Sequence, residues 1–105
     1  MCHKNKKYMK LEAKSIKFLS TADEQSFFDR LNALSCVNDV FGQGFSIIID
    51  TDKSPDDKEL RELIALFYRY NVDMKQLRVF LSKSNRIWFK HNRQSYWYKK
   101  VFGNR

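Results

Sequence analysis

The chain has 105 residues, of which 43% are hydrophobic and 15% aromatic, and a formal net charge of +8. That length gives one domain, and that apolar content gives a core that stands without metal or disulfide staples, which excludes disorder away from the ends. Three Gly and one Pro are too few for a many-turned β sandwich or barrel, and no apolar run reaches the roughly 18 residues of a membrane span.

"SIKFLS" (15 to 20) alternates Ile16 and Phe18 with polar neighbours, which predicts a strand. In "STADEQSFFDRLNALSCV", Thr21 and Glu24 have the spacing of a capping box. Phe27, Phe28, Leu31 and Leu34 then recur on one helical face. "VNDVFGQGFSIIIDTD" predicts a hairpin: Val37 to Phe41 lead into a turn at Gly42-Gln43-Gly44, and Phe45 to Ile49 return as a buried strand.

In "SPDDKELRELIALFYRY" the expected N-cap is Ser54, with Pro55 at the first helical position and Asp57 completing the box. Leu60, Leu63, Ile64 and Phe67 form its apolar stripe, and Asn71 is the expected stop. "DMKQLRVFLSKSN" has two readings. Leu77, Val79 and Leu81 alternate as in a strand, whereas Leu77, Phe80 and Leu81 share a helical stripe behind a cap of Asp73 with Gln76; the independent cap signal favours helix over 74–83. The last stretch, "RIWFKHNRQSYWYKKVFGNR", predicts short helices or turns packing back through Trp88, Phe89, Trp97, Val101 and Phe102, with a break near His91-Asn92. The predicted fold class is α+β: a small sheet, made of a strand plus a hairpin, packed by three to five helices, with the C-terminal half mostly helical.

Charge divides along the chain. Residues 1 to 10 carry four Lys and no acid, residues 11 to 73 seven Lys or Arg against all twelve acids, and residues 74 to 105 nine Lys or Arg and no acid. A bipolar field of this kind steers charged partners. Residues 1 to 10 are expected to be a basic, disordered tail and residues 11 to 105 one globular domain. No apolar h-region follows the basic start, so it does not read as a signal peptide. Cys2 and Cys36 have neither CxxC nor metal-ligand spacing and read as free thiols of a reducing, cytoplasmic compartment.

Candidate chemistry is sparse. Asp50, Asp52, Asp56, Asp57 and Glu59 offer oxygen ligands to a hard cation. They lack the Gly of an EF-hand loop, and Asp56, Asp57 and Glu59 suit a first helical turn, where the macrodipole favours carboxylates. His91, beside Arg93, Tyr96, Tyr98 and Lys99, raises a small metal-independent ribonuclease. The sequence shows it no titrating partner, and nucleophile or phosphate-loop motifs are missing, so no catalytic residue, metal or cofactor is expected. The basic, aromatic C-terminus raises a nucleic-acid module that stacks bases and tracks phosphates, although no recognisable binding motif accompanies it. Its Trp residues and Phe102 read first as core with a solvated rim.

"LRELIALFYRY", "DMKQL" and "YWYKKVFG", with "SIKFLSTADEQSFFDRL" before them, resemble the immunity proteins of contact-dependent growth inhibition and related polymorphic toxin systems. The resemblance spans most of residues 15 to 103. It implies a protein that is not an enzyme and binds one cognate toxin domain in a one-to-one complex, a nuclease-type toxin in the leading reading, blocking its active site or substrate approach. A small RNA- or DNA-binding module is the alternative, and no membrane partner is expected. The candidate partner-binding residues are Asp50 and Asp52 on the acidic part of the chain and Arg93, Tyr96, Tyr98, Lys99 and Lys100 on the basic part.

Overall fold

The computed structural model describes residues 9–103. Strands β1 (Met9–Lys14), β2 (Val37–Gln43) and β3 (Ser46–Thr51) form one antiparallel sheet in the order β1-β3-β2. Leu11 pairs with Ile49 and Ala13 with Ile47, and all four are buried, so this face carries the core. By alternation Lys10, Glu12, Ile48 and Asp50 point to the opposite face. With its helices the molecule is the small α+β fold expected from the sequence.

The first strand is displaced from the expected position. Segment 15–20 is not a strand: β1 ends at Lys14, opposite Ser46, where β3 itself begins and pairing runs out. Ser15 turns into the left-handed region (φ 48°) and donates its N–H to Phe45 O at 2.8 Å. Ile16 and Phe18 are instead half-buried against the core, and the strand signal lay one segment earlier, in Leu11 and Ala13 of "MKLEAK". Met9 and Lys10, assigned to the tail from sequence, are strand residues; the tail expected over residues 1 to 8 lies outside the described residues, as does Cys2.

The hairpin forms as expected, with a tighter turn. β2 runs through Gln43, which pairs with Ser46, leaving Gly44 and Phe45 as a two-residue turn. Gly44 has φ +65°, which a type II′ turn requires at its first position. A bulge at Asn38 shifts the β2 register between Val37 and Asp39.

Helix α1 (Thr21–Asn32) is capped one residue before the expected Thr21: Ser20 is extended and its Oγ accepts from Asp23 N at 3.1 Å. Phe27, Leu31 and Leu34 are buried. Helix α2 (Asp57–Arg69) is capped by Asp56 rather than Ser54, because Glu59 closes a reciprocal box with Asp56. Leu60, Leu63, Ile64 and Phe67 are buried as predicted, and Leu66 joins them. At its end, Val72 N donates to Phe67 O and Asn71 N to Tyr68 O, with Asn71 at φ 58°: a Schellman stop.

Segment 75–80 is helical, but a 3₁₀ helix (Lys75–Phe80) rather than an α-helix over 74–83. Its buried residues Leu77 and Phe80 are three apart, the 3₁₀ repeat, which leaves Leu81 out of the stripe and partly exposed. The Gln76 side chain reaches β1, accepting from Glu12 N and donating to Glu12 O, each at 2.8 Å, and also donates to Asp73 O at 2.8 Å. Two short helices follow, α3 (Arg86–Phe89) and α4 (Tyr98–Phe102), separated by turns around the expected break. Phe89, Trp97 and Val101 enter the core, while Trp88 and Phe102 are half-buried against it. The turn before α3 is fixed by buried Asn85, which donates to Phe80 O and accepts from Ser82 N, both at 2.9 Å. Among the described residues no helix is long and apolar enough to cross a membrane.

Candidate partner-binding face

The C-terminal segment closes over the flank of α2 through aromatic and cationic side chains. The Arg61 guanidinium lies 3.9 Å from the Trp88 ring centroid. One turn-pair along α2, Tyr68 meets Tyr96 edge-on at 4.8 Å, and Lys100 Nζ stands 5.7 Å from the Tyr68 ring. Arg61 and Tyr68 are seven residues apart, hence on one stripe, beside the Leu60–Leu63–Phe67 stripe that faces the core. Tyr96 is 61% and Tyr68 41% exposed, so this contact lies at the surface rather than within the core.

The charge around it is not neutralised internally. Among the described residues the ion pairs are Lys10–Asp50 at 3.8 Å and Arg30–Glu62 at 3.4 Å, and neither involves the basic residues of 74–103. Arg78 has a structural task, donating to Val101 O at 2.5 Å and Gly103 O at 3.0 Å. Arg93, Lys99 and Lys100 are exposed. Lys100 shares a recess with Tyr68 and Asp73, without an ion pair among the described residues; an exposed cation beside an exposed aromatic pair can meet an anionic group, and the rings supply apolar area.

The expected site residues are therefore only partly assembled. Tyr96 and Lys100 meet on Tyr68; Tyr98 is half-buried and turned onto Trp97 and Phe102, with centroids 6.4 and 5.4 Å away. Asp50 is 7% exposed, on the sheet face opposite the core, beside Lys10. Asp52, just past β3, is half-buried and donates its N–H to Cys36 O. Among the described residues no hydrogen bond or ion pair links the two aspartates to the basic–aromatic face. Sequence reasoning missed Arg61 and Tyr68; their two-turn spacing next to an apolar stripe was the available signal.

The catalytic candidates disperse. His91 is exposed. Asp56 and Glu59 cap α2, and among the described residues no three His, Cys, Asp or Glu gather as a metal site. Cys36 is buried, and that burial, with the Glu59 charge next in weight, pushes its thiol up to about 11, so it is neutral and unreactive near pH 7. Compared with known proteins, the chain matches no family model, no curated protein and no solved structure.

Proposed function

We propose that the protein is a cytoplasmic, non-enzymatic immunity protein that binds one cognate toxin domain, of nuclease type, and neutralises it by occlusion. The observation that supports this is the face around Tyr68, Tyr96 and Lys100, where two exposed rings and one cation meet on the flank of α2, whose other side is core. The sequence resemblance to immunity proteins supplies the class of partner. A toxin inhibitor needs nanomolar affinity, about −12 kcal/mol. Exposed charge cannot supply that where the Debye length is roughly 8 Å, so the rings form the centre of the contact and the cations orient the encounter.

The test is co-expression with the toxin encoded beside this gene, followed by purification at about 0.5 M salt, where screening shortens the reach of exposed charge to several ångströms. A one-to-one complex that survives, together with rescue of growth, is the expected result. If no protein is retained and RNA binds only at low salt, the basic–aromatic face is a nucleic-acid surface instead. Cleavage of RNA by the purified protein, lost in His91→Ala, would overturn the non-enzymatic reading.

A further inference from the structure

A second recess, of about 560 Å³, opens between the loop leaving β1 and the C-terminal turn of α2. Volumes of roughly 300–1,000 Å³ accommodate small organic ligands. Packing fixes its walls relative to each other. The Tyr70 hydroxyl donates to Asp23 O at 3.4 Å, and the Tyr70 ring meets Phe18 edge-on at 5.6 Å, so the turn of α2 is held against the start of α1.

Its chemistry is that of an anion site with an apolar flank. Lys14 and Lys17 line one wall and Arg69 the other, against the single carboxylate of Asp23. Among the described residues none of these four has an ion-pair partner. Arg69 also offsets the carbonyl end of α2, and Lys14, at the end of β1, borders Glu12 and Asp73 on its other side; Lys17 lies in the loop with no hydrogen-bond or ion-pair partner among the described residues. Leu19, also in the lining, is 87% exposed and offers the recess an aliphatic side chain on its rim.

Among the described residues, the two non-glycine residues with left-handed backbone, Ser15 and Asn71, line this recess. Asn71 is accounted for by the helix stop. Ser15 stands where glycine would be easier, which places a hydroxyl at the recess at some conformational cost.

We propose that this recess binds a small organic anion bearing an apolar group, its head group between Lys14, Lys17 and Arg69 and its apolar part against Leu19. The site is independent of the toxin-binding reading and shares no residue with the Tyr68–Tyr96–Lys100 face.

The test is titration of the full chain, isotopically labelled, with phenyl phosphate, followed by backbone amide resonances. Saturable shifts centred on Ser15, Lys17, Leu19 and Asn71 are expected. Lys14→Glu with Lys17→Glu should weaken binding by about tenfold or more, the effect of 1.4 kcal/mol of lost interaction. Both lysines are exposed, and the same spectra verify that the fold is kept. Inorganic phosphate should bind more weakly than phenyl phosphate, and Leu19→Ser should erase that difference. Shifts that do not saturate, shifts centred on Lys99 and Lys100, equal affinity in the double lysine variant, or phosphate binding as tightly as phenyl phosphate would each overturn the proposal.

Discussion

At position 59 one carboxylate joins three parts of the chain. Glu59 Oε2 accepts from the Ser35 amide at 2.7 Å and the Ser35 hydroxyl at 2.6 Å, and Oε1 accepts from Asp56 N at 3.1 Å. The loop between α1 and β2 is thereby pinned to the first turn of α2. Burial alone would raise the Glu59 pKa, but the hydrogen bonds from Ser35 and Asp56 outweigh it and hold the group below its ordinary value. A carboxyl depressed in the folded state stabilises above its unfolded pKa, and that contribution is lost as pH falls through the folded pKa. Glu59→Ala should therefore cost about 1–2 kcal/mol at neutral pH, for the cap and the Ser35 bonds together. In urea titrations the gap between variant and parent should narrow below the ordinary carboxylate range; a gap constant into strong acid would show that the charge contributes nothing.

Elements here are terminated and guarded by single side chains. α2 stops because Asn71 accepts the left-handed conformation that closes the Schellman bonds. Asn71→Gly should leave stability nearly unchanged, whereas Asn71→Ala should lose about 1 kcal/mol, since a Cβ without a local polar group is penalised there. Melting curves decide between them: equal losses in both variants would mean the carboxamide, not the backbone, holds the turn. The two sheet edges are blocked in different ways. On β1, Gln76 occupies both outward backbone groups of Glu12, while exposed Lys10 and Lys14 flank it. On β2, the Asp39 carboxylate accepts from Val40 N at 2.9 Å, covering a donor that a foreign strand would need.

Over the whole molecule, the acids and the C-terminal cations differ in how far they are engaged by partners within the fold. The acids of residues 11–73 are largely committed to caps and local contacts: Asp56 and Glu59 to α2, Glu12 to Ser46 at 2.5 Å, Asp39 to β2 and Asp50 to Lys10. The exposed cations Arg93, Lys99 and Lys100 have no such commitments among the described residues. Lys99→Glu with Lys100→Glu should thus spare the fold and slow association with the proposed toxin partner, an effect that fades as salt is raised. Stopped-flow mixing at two salt concentrations reads this directly; unchanged rates at low salt would remove the face around Lys100 from the encounter. Asp50→Lys with Asp52→Lys is a different experiment. Asp50 is buried beside Lys10, so reversal there places two cations together and is expected to lower the melting temperature before it reports on any partner.

The sequence by itself determined the class of fold, the apolar stripe of α2, its stop at Asn71, the β2–β3 hairpin and the polarity of the charge, because each is written in local periodicity or composition. Leu60, Leu63, Ile64 and Phe67 specify a buried helical face whatever lies opposite, and Gly44 specifies a turn wherever the strands meet. Tertiary structure decided what depends on a distant partner. β1 lies at Met9–Lys14 rather than 15–20 because β3 supplies pairing only as far as Ser46. The first turn of α2 is tied to the loop before β2 because Glu59 is shared with Ser35, 24 residues away. The candidate face exists because the chain after α3 folds back to set Tyr96 and Lys100 on Tyr68, a contact between residues 28 and 32 apart in sequence that no local pattern encodes.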